Sequence, residues 1–171
     1  YCINSSSLKF VPVSEMKNQG FGRYLFVFAE KNHWEVATLA GGCFWGMEDL
    51  LKKLPGVLET QVGYTGGALA HATYTEVKKG VTGHAEAVQV LFDPQKIKYE
   101  KILLEFFKIH DPTTKDRQGG DVGTQYRSAI FFHSEQQKQT AEAVKQRVEK
   151  SGKWQKPIVT SIVKLSDFWS A

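Results

Sequence analysis

The sequence predicts an α+β domain of the ferredoxin-like, split βαβ type: a sandwich with a mixed sheet, extended by an additional C-terminal helix and strand. Three observations carry that expectation. From Val36 to Phe132 the apolar residues change period in the order strand, helix, strand, strand, helix, strand. The step between the second and third strands is hairpin-like, which favours a mixed rather than a fully parallel sheet. A chain of 171 residues with a 42% hydrophobic fraction suits about one domain with a core of its own.

The elements follow in order. Tyr1 to about Lys31 shows no sustained period; it reads as a strand-like start, a turn around Asn18-Gln19-Gly20 and a short apolar run, Tyr24 to Phe28. Residues 29–34 read as a linker. Val36 to Ala40 is a short apolar strand that ends in Gly41-Gly42. Cys43 to Leu54 then spaces Phe44, Met47, Leu50, Leu51 and Leu54 as a helix does, and Pro55-Gly56 stops it. Val57 to Tyr64 is a strand closed by Thr65-Gly66-Gly67. His84 to Phe92 alternates, with Val88, Val90 and Phe92 on one face and Ala87, Gln89 and Leu91 on the other. Tyr99 to His110 is amphipathic and ends before Pro112, and Tyr126 to Phe132 is the next strand. Ser134 with Gln137 three residues on forms a capping box for a helix running to Ser151-Gly152, and Ile158 to Leu165 is a final strand.

Composition narrows the function. Lysine and arginine number 22 against 18 acids, a net charge of +4. The basic residues are scattered rather than clustered, which speaks against a nucleic-acid binder. The longest apolar runs are too short to span a bilayer, so no membrane partner is expected. The two cysteines, Cys2 and Cys43, make neither a disulfide scaffold nor a zinc cluster. If a cysteine matters here, it matters for its chemistry; otherwise Cys43 packs as a small buried hydrophobe.

Cys43 stands at the first turn of a helix directly after a strand and two glycines. Free N–H groups and the helix dipole there favour a thiolate. Phe44 and Trp45 beside it are candidate walls of an apolar pocket; otherwise they are core. Glu86 sits inside a strand among small apolar neighbours. Buried, a carboxyl must be paired or protonated, and a protonated one can act as a general acid near neutral pH. At a strand edge it would merely face water. His84 reads as a hydrogen-bonded structural residue, because no second metal-type residue stands at a ligand spacing. The polar, glycine-rich loop Arg117–Arg127 offers Asp121 and Tyr126 as contacts, and Tyr64 and Tyr74 occupy similar turn-like places.

Gly42-Cys43-Phe44-Trp45, Gly63-Tyr64-Thr65-Gly66-Gly67, Gly83-His84-Ala85-Glu86-Ala87-Val88, His110-Asp111-Pro112 and Gly123-Thr124-Gln125-Tyr126-Arg127-Ser128 resemble methionine sulfoxide reductase A in order and spacing, across Glu35 to Ala171. The resemblance implies the α+β fold expected above. It implies that Cys43 attacks the sulfoxide sulfur and becomes a sulfenic acid. Glu86 would give its proton to the sulfoxide oxygen, with Tyr74 and Tyr126 donating hydrogen bonds to that oxygen. Phe44 and Trp45 would hold the ε-methyl group, and Asp121 would orient the backbone side of the substrate or a water. The implied substrate is the S epimer of methionine sulfoxide, free or in proteins. No metal or bound cofactor is implied, only an external thiol reductant: thioredoxin, glutaredoxin or a small thiol such as dithiothreitol.

Residues 1–28 are similar instead to the last strands of methionine sulfoxide reductase B, with Cys2 as that module's nucleophile. The chain then reads as a B-type tail, a linker at 29–34 and an A-type domain at 35–171, as in bacterial fusions. Many A-type relatives carry recycling cysteines near their C-terminus, and the family usually continues beyond Asp167-Phe168-Trp169-Ser170-Ala171. Either a resolving thiol lies in further residues, or the Cys43 sulfenic acid is reduced directly, or Cys2 resolves it. A cytoplasmic location is favoured over a periplasmic one. Two rival readings are a non-catalytic module binding an anionic or nucleic-acid partner, and a peroxide-reducing thiol protein that would need no methyl pocket.

Overall fold

A computed structural model describes residues 8–171. Along the chain come a single helical turn α1 (Val13–Met16), β1 (Glu35–Gly41), α2 (Phe44–Leu51), β2 (Val57–Thr65), a short α3 (Tyr74–Val77), β3 (Ala85–Phe92) and α4 (Tyr99–Ile109). A small hairpin of β4 (Arg117–Gln118) and β5 (Asp121–Val122) follows, then β6 (Ser128–Phe132), α5 (Glu135–Lys150), β7 (Ser161–Lys164) and β8 (Phe168–Ser170). The main sheet runs β7-β6-β1-β3-β2-β8. Its inner order, β6-β1-β3-β2, is antiparallel throughout and interleaves as a split βαβ unit does. The parallel pair is β6 with β7, joined by the crossover helix α5. The sheet is therefore mixed, as expected.

The strict alternation of β3 explains its central place. All eight of its residues are buried, because both faces of the sheet are covered. Val88, Val90 and Phe92 join Ala37, Leu39 and Ile130 under α2, α4 and α5, and this is the main core. On the opposite face, Ala40, Ala85, Ala87 and Ala129 are small enough to let Phe131, Leu165 and Phe168 lie against them. The rest of that face is covered by the N-terminal segment. Met16 and Leu25 pack on Leu91, flanked by Trp34, Val36 and Leu58, and the Lys17 ammonium donates to the Leu58 carbonyl.

Several local expectations are revised. The apolar run Tyr24–Phe28 lies within a 3₁₀ helix, Gly22–Phe28, because its apolar residues meet the sheet from above rather than pairing with it. The turn at Asn18-Gln19-Gly20 is present, with the Phe21 N–H donating back to the Met16 carbonyl at 2.8 Å. Residues 29–34 include a short 3₁₀ turn, Glu30–Asn32, before Trp34 docks. The strand-like start falls largely outside the described residues, as does Cys2; Leu8 to Pro12 form no strand. Tyr126 belongs to a 3₁₀ turn, Thr124–Tyr126, and β6 starts two residues later. Among the described residues no helix is long and apolar enough to cross a membrane.

Candidate active site

The site forms where β1 hands over to α2. Gly42 takes φ +105°, a conformation that disfavours any side chain, and a Cβ there would come within 2.6 Å of Gln118. The β4–β5 hairpin thus closes directly on the turn. Gln118 is fixed in turn by Asp111, whose N–H donates to Gln118 Oε1 at 3.1 Å, and this anchoring carries Asp121 to the edge of the site. Cys43 is the N-cap of α2, one residue before the helix proper; its thiol is free and exposed. The next N–H, that of Phe44, donates to Glu86 Oε2 at 3.1 Å. One orphan donor at the helix start therefore ties the residue after the thiol to the carboxyl below it.

Glu86 is only 3% exposed. Burial holds its carboxyl above the usual carboxylate range, and the charge of Asp121 adds to that; the Phe44 N–H acts in the opposite direction. Tyr126 is half-buried, and burial, then Glu86 and Asp121, push its phenol up, with Tyr74 and Cys43 also close enough to count. The Tyr126 phenol therefore stands as a hydrogen-bond donor at neutral pH. Tyr74 opens α3, whose start is set by a reciprocal capping box: Thr73 N–H donates to Glu76 Oε2 at 2.9 Å.

Beside this polar group lies a cavity of about 570 Å³, walled by Phe44, Trp45, Tyr64, His71, Tyr74 and Trp169. Phe44 is buried, and its ring centroid lies 5.9 Å from that of Trp45 and 5.7 Å from that of Tyr64. Trp45 is 67% exposed, far more than a core tryptophan. A mostly apolar hollow with a few convergent polar groups is the form a small-ligand site takes. The fold thus gathers Cys43, Phe44, Trp45, Tyr74, Glu86, Asp121 and Tyr126 at one place.

The cavity also uses residues that sequence reasoning left out. Trp169 sits on β8, opposite Tyr64 of β2, which in turn sits opposite Glu86 of β3. Directly opposed residues in antiparallel strands leave the same face, so Trp169, Tyr64 and Glu86 form one row. The His71 ring lies tilted against that of Trp169, with centroids 4.4 Å apart, and completes the wall. The register of the β2–β3 hairpin could have revealed Tyr64 beside Glu86. Nothing in the sequence marks a strand as short as β8.

The other histidines next to this region are structural. His84 is buried with both ring nitrogens used: Gly67 N–H donates to Nδ1 at 3.1 Å, and Nε2 lies 2.8 Å from the Leu69 carbonyl. His110 contacts the Phe106 carbonyl through Nδ1 and Ser128 Oγ through Nε2, each at 2.7 Å, and Ser128 Oγ continues to Thr160 at 2.7 Å. Burial lowers the His110 pKa to about 4, so it is neutral at physiological pH. Among the described residues no group of three or more His, Cys, Asp or Glu is placed to hold a metal.

Residues 35–171 match the family described as Peptide methionine sulfoxide reductase. The chain belongs to that family. A peptide methionine sulfoxide reductase MsrA of Methanosarcina mazei is 55% identical over 137 residues, which is 80% of this chain and 65% of that protein. One from Nocardia farcinica is 52% identical over 135 residues, covering 79% of this chain and 77% of its own length. Among solved structures, reduced Mxr1 from Saccharomyces cerevisiae has a TM-score of 0.76 at 35% identity, covering 81% of this chain and 80% of its own. Mxr1 in complex with Trx2 matches at TM-score 0.61 and 28% identity, over 81% of each chain. Family and site agree on the chemistry: thiol-dependent reduction of methionine sulfoxide, on an α+β fold shared with these neighbours.

Proposed function

We propose that this chain reduces the S epimer of methionine sulfoxide, free and in proteins, with Cys43 as nucleophile and Glu86 as general acid. One observation carries the reading. The N–H of the residue after Cys43 holds the carboxyl of a buried glutamate whose pKa burial raises, so thiol and acid are fixed together at one helix start. A sulfoxide oxygen leaves sulfur only when it is protonated, and a neutral carboxylic acid beside a thiolate supplies that proton.

The Cys43 thiolate attacks the sulfoxide sulfur while Glu86 transfers its proton to the oxygen. Attack forms a bond between Cys43 Sγ and the methionine sulfur. The protonated oxygen then moves from that sulfur to Sγ as the Sγ–S bond breaks, so methionine leaves and Cys43 carries the oxygen as a sulfenic acid. The cysteine sulfur is oxidised by two electrons and the methionine sulfur is reduced by two. Tyr74 and Tyr126 donate hydrogen bonds to the oxygen, Phe44 and Trp45 hold the ε-methyl group, and Asp121 orients the backbone side of the substrate or a water. Two thiols of an external reductant then return Cys43 to the thiol, leaving as a disulfide with release of water. Thioredoxin is the favoured partner, supported by the likeness to Mxr1 solved in complex with Trx2; glutaredoxin or dithiothreitol would serve the same step. Residues 1–28 are the tail of a B-type module, and 29–34 the linker, ahead of the catalytic domain.

The test is turnover of each resolved epimer of N-acetyl-methionine sulfoxide with dithiothreitol. Reduction of the S epimer alone, abolished in Cys43→Ser, supports the proposal. Turnover of the R epimer, or activity that survives Cys43→Ser, refutes it.

A further inference from the structure

Tyr64 is the most deeply buried phenol bordering the cavity, 1% exposed, and its hydroxyl has no hydrogen-bond partner. A buried O–H left without an acceptor costs about 1–3 kcal/mol, so its presence there calls for a use. Its place is fixed from three sides. Its backbone pairs with Glu86 across the β2–β3 register and with Trp169 across β2–β8, and its ring leans on Phe44, the residue whose N–H already holds Glu86. Tyr64 and Glu86 therefore stand side by side on one face of the sheet, at the border of the cavity.

We infer that Tyr64 is a positioning residue of the reductase step, its hydroxyl donating to the Glu86 carboxylate that exists once the proton has left for the sulfoxide oxygen. The inference rests on Glu86 being the acid. In the resting site burial favours the protonated form of Glu86, for which the Phe44 N–H suffices. After transfer, a full negative charge remains in a buried place with that one donor, and charge-assisted hydrogen bonds are the strong ones. The Tyr64 O–H meets it through a short side-chain movement or one bridging water. The phenol cannot itself supply the proton. Burial, then the charges of Glu86 and Tyr74, push its pKa up to about 12, which keeps it a donor across the working range. The other titratable groups around Glu86 are Cys43 at the head of α2, Tyr74 of α3, Asp121 of β5 and Tyr126 before β6, with His71 on the cavity wall. Of these, Asp121 opposes a carboxylate at position 86 by like charge.

The experiment is single-turnover reduction of N-acetyl-methionine sulfoxide by reduced protein across pH, comparing the unaltered chain with Tyr64→Phe, Glu86→Gln and the double variant. Phenylalanine keeps the ring and its packing, and a thermal midpoint that does not fall confirms the fold. Tyr64→Phe should lower the rate at the optimum about tenfold with sulfoxide affinity unchanged. It should also move the alkaline limb of the profile upward by about one pH unit, because a carboxylate without its donor is harder to form. In the Glu86→Gln background, where no carboxylate arises, Tyr64→Phe should add nothing.

An unchanged rate and limb overturns the inference. A rate loss with an unmoved limb overturns it as well, since that is structural damage, and so does weakened sulfoxide binding at full rate, since the hydroxyl would then serve the substrate. If Glu86→Gln lowers the rate and Tyr64→Phe keeps its full effect on top, only the Tyr64 role falls. If Glu86→Gln leaves the rate intact, Glu86 is not the acid and both readings fall together.

Discussion

Two buried polar clusters flank the handover from β1 to α2, and they are built on opposite terms. Around His110 every polar atom is satisfied: both ring nitrogens are bonded, Ser128 links to Thr160, and the imidazole packs 4.2 Å from the Phe106 ring. Around Glu86 one carboxyl oxygen has a single N–H donor, and the neighbouring Tyr64 hydroxyl has no partner. Both clusters are equally hidden from water. What differs is whether donors and acceptors are used up inside the fold. A closed network holds the strand ends in place; an open one keeps capacity for an incoming group.

The comparison can be broken by substituting each side in turn. Glu86→Gln should cut the single-turnover rate by roughly 10²–10⁴-fold, the range expected for a lost general acid. The same variant should not lower the thermal midpoint above neutral pH and should raise it slightly. A folded-state pKa above the unfolded value means the buried carboxylate opposes folding once it ionises, and glutamine removes that penalty. A catalytic loss accompanied by a fall in stability would erase the distinction between the clusters.

On the closed side the expected effect falls on stability. His110 has a folded pKa near 4 against an ordinary 6.5, so the unfolded chain binds a proton that the folded one refuses in between. Stability should therefore fall as pH drops from about 6.5 towards 4, by up to ~3 kcal/mol. His110→Gln should flatten that part of the curve, measured by urea unfolding at several pH values. Ser128→Ala, which leaves His110 Nε2 without its partner, should cost about 1–3 kcal/mol while the reductase rate per folded molecule stays close to that of the unaltered chain. A large rate loss would show that this network reaches the chemistry.

The smallest effect belongs to the exposed rim. Trp45→Ala should weaken sulfoxide affinity several-fold, with little change in the thermal midpoint, because two thirds of that side chain is already in water. A strong loss of stability instead would return Trp45 to the core.

Much of this was legible in the residues. The alternation of β3 placed Val88, Val90 and Phe92 on the core side, and the step from Gly41-Gly42 into a helical period placed Cys43 at a helix start. Those signals survive because they come from periods several residues long or from glycines with a geometric duty. Tyr24–Phe28 carried apolar residues without a period, since a 3₁₀ segment laid on a sheet needs only scattered anchors such as Leu25. Trp169 was missed as a cavity wall because it reaches its place by strand pairing, and pairing is written in no local pattern; Tyr64 stood out as a turn-side tyrosine, but its place beside Glu86 needed the β2–β3 register. Glu86 was a candidate from its small neighbours, while its tie to the Phe44 N–H needed the packed turn to be seen.

The segment that covers the second face of the sheet has a consequence for birth at the ribosome. Met16 and Leu25 emerge early, but their seat on Leu91 does not exist until β3 has been synthesised and paired with β1 and β2. At roughly 5–20 residues per second that is a wait of several seconds with an apolar segment uncovered. The nascent chain thus passes through an interval in which Phe26, Phe28 and Trp34 are free to meet a chaperone or another chain, and closing the sheet ends it.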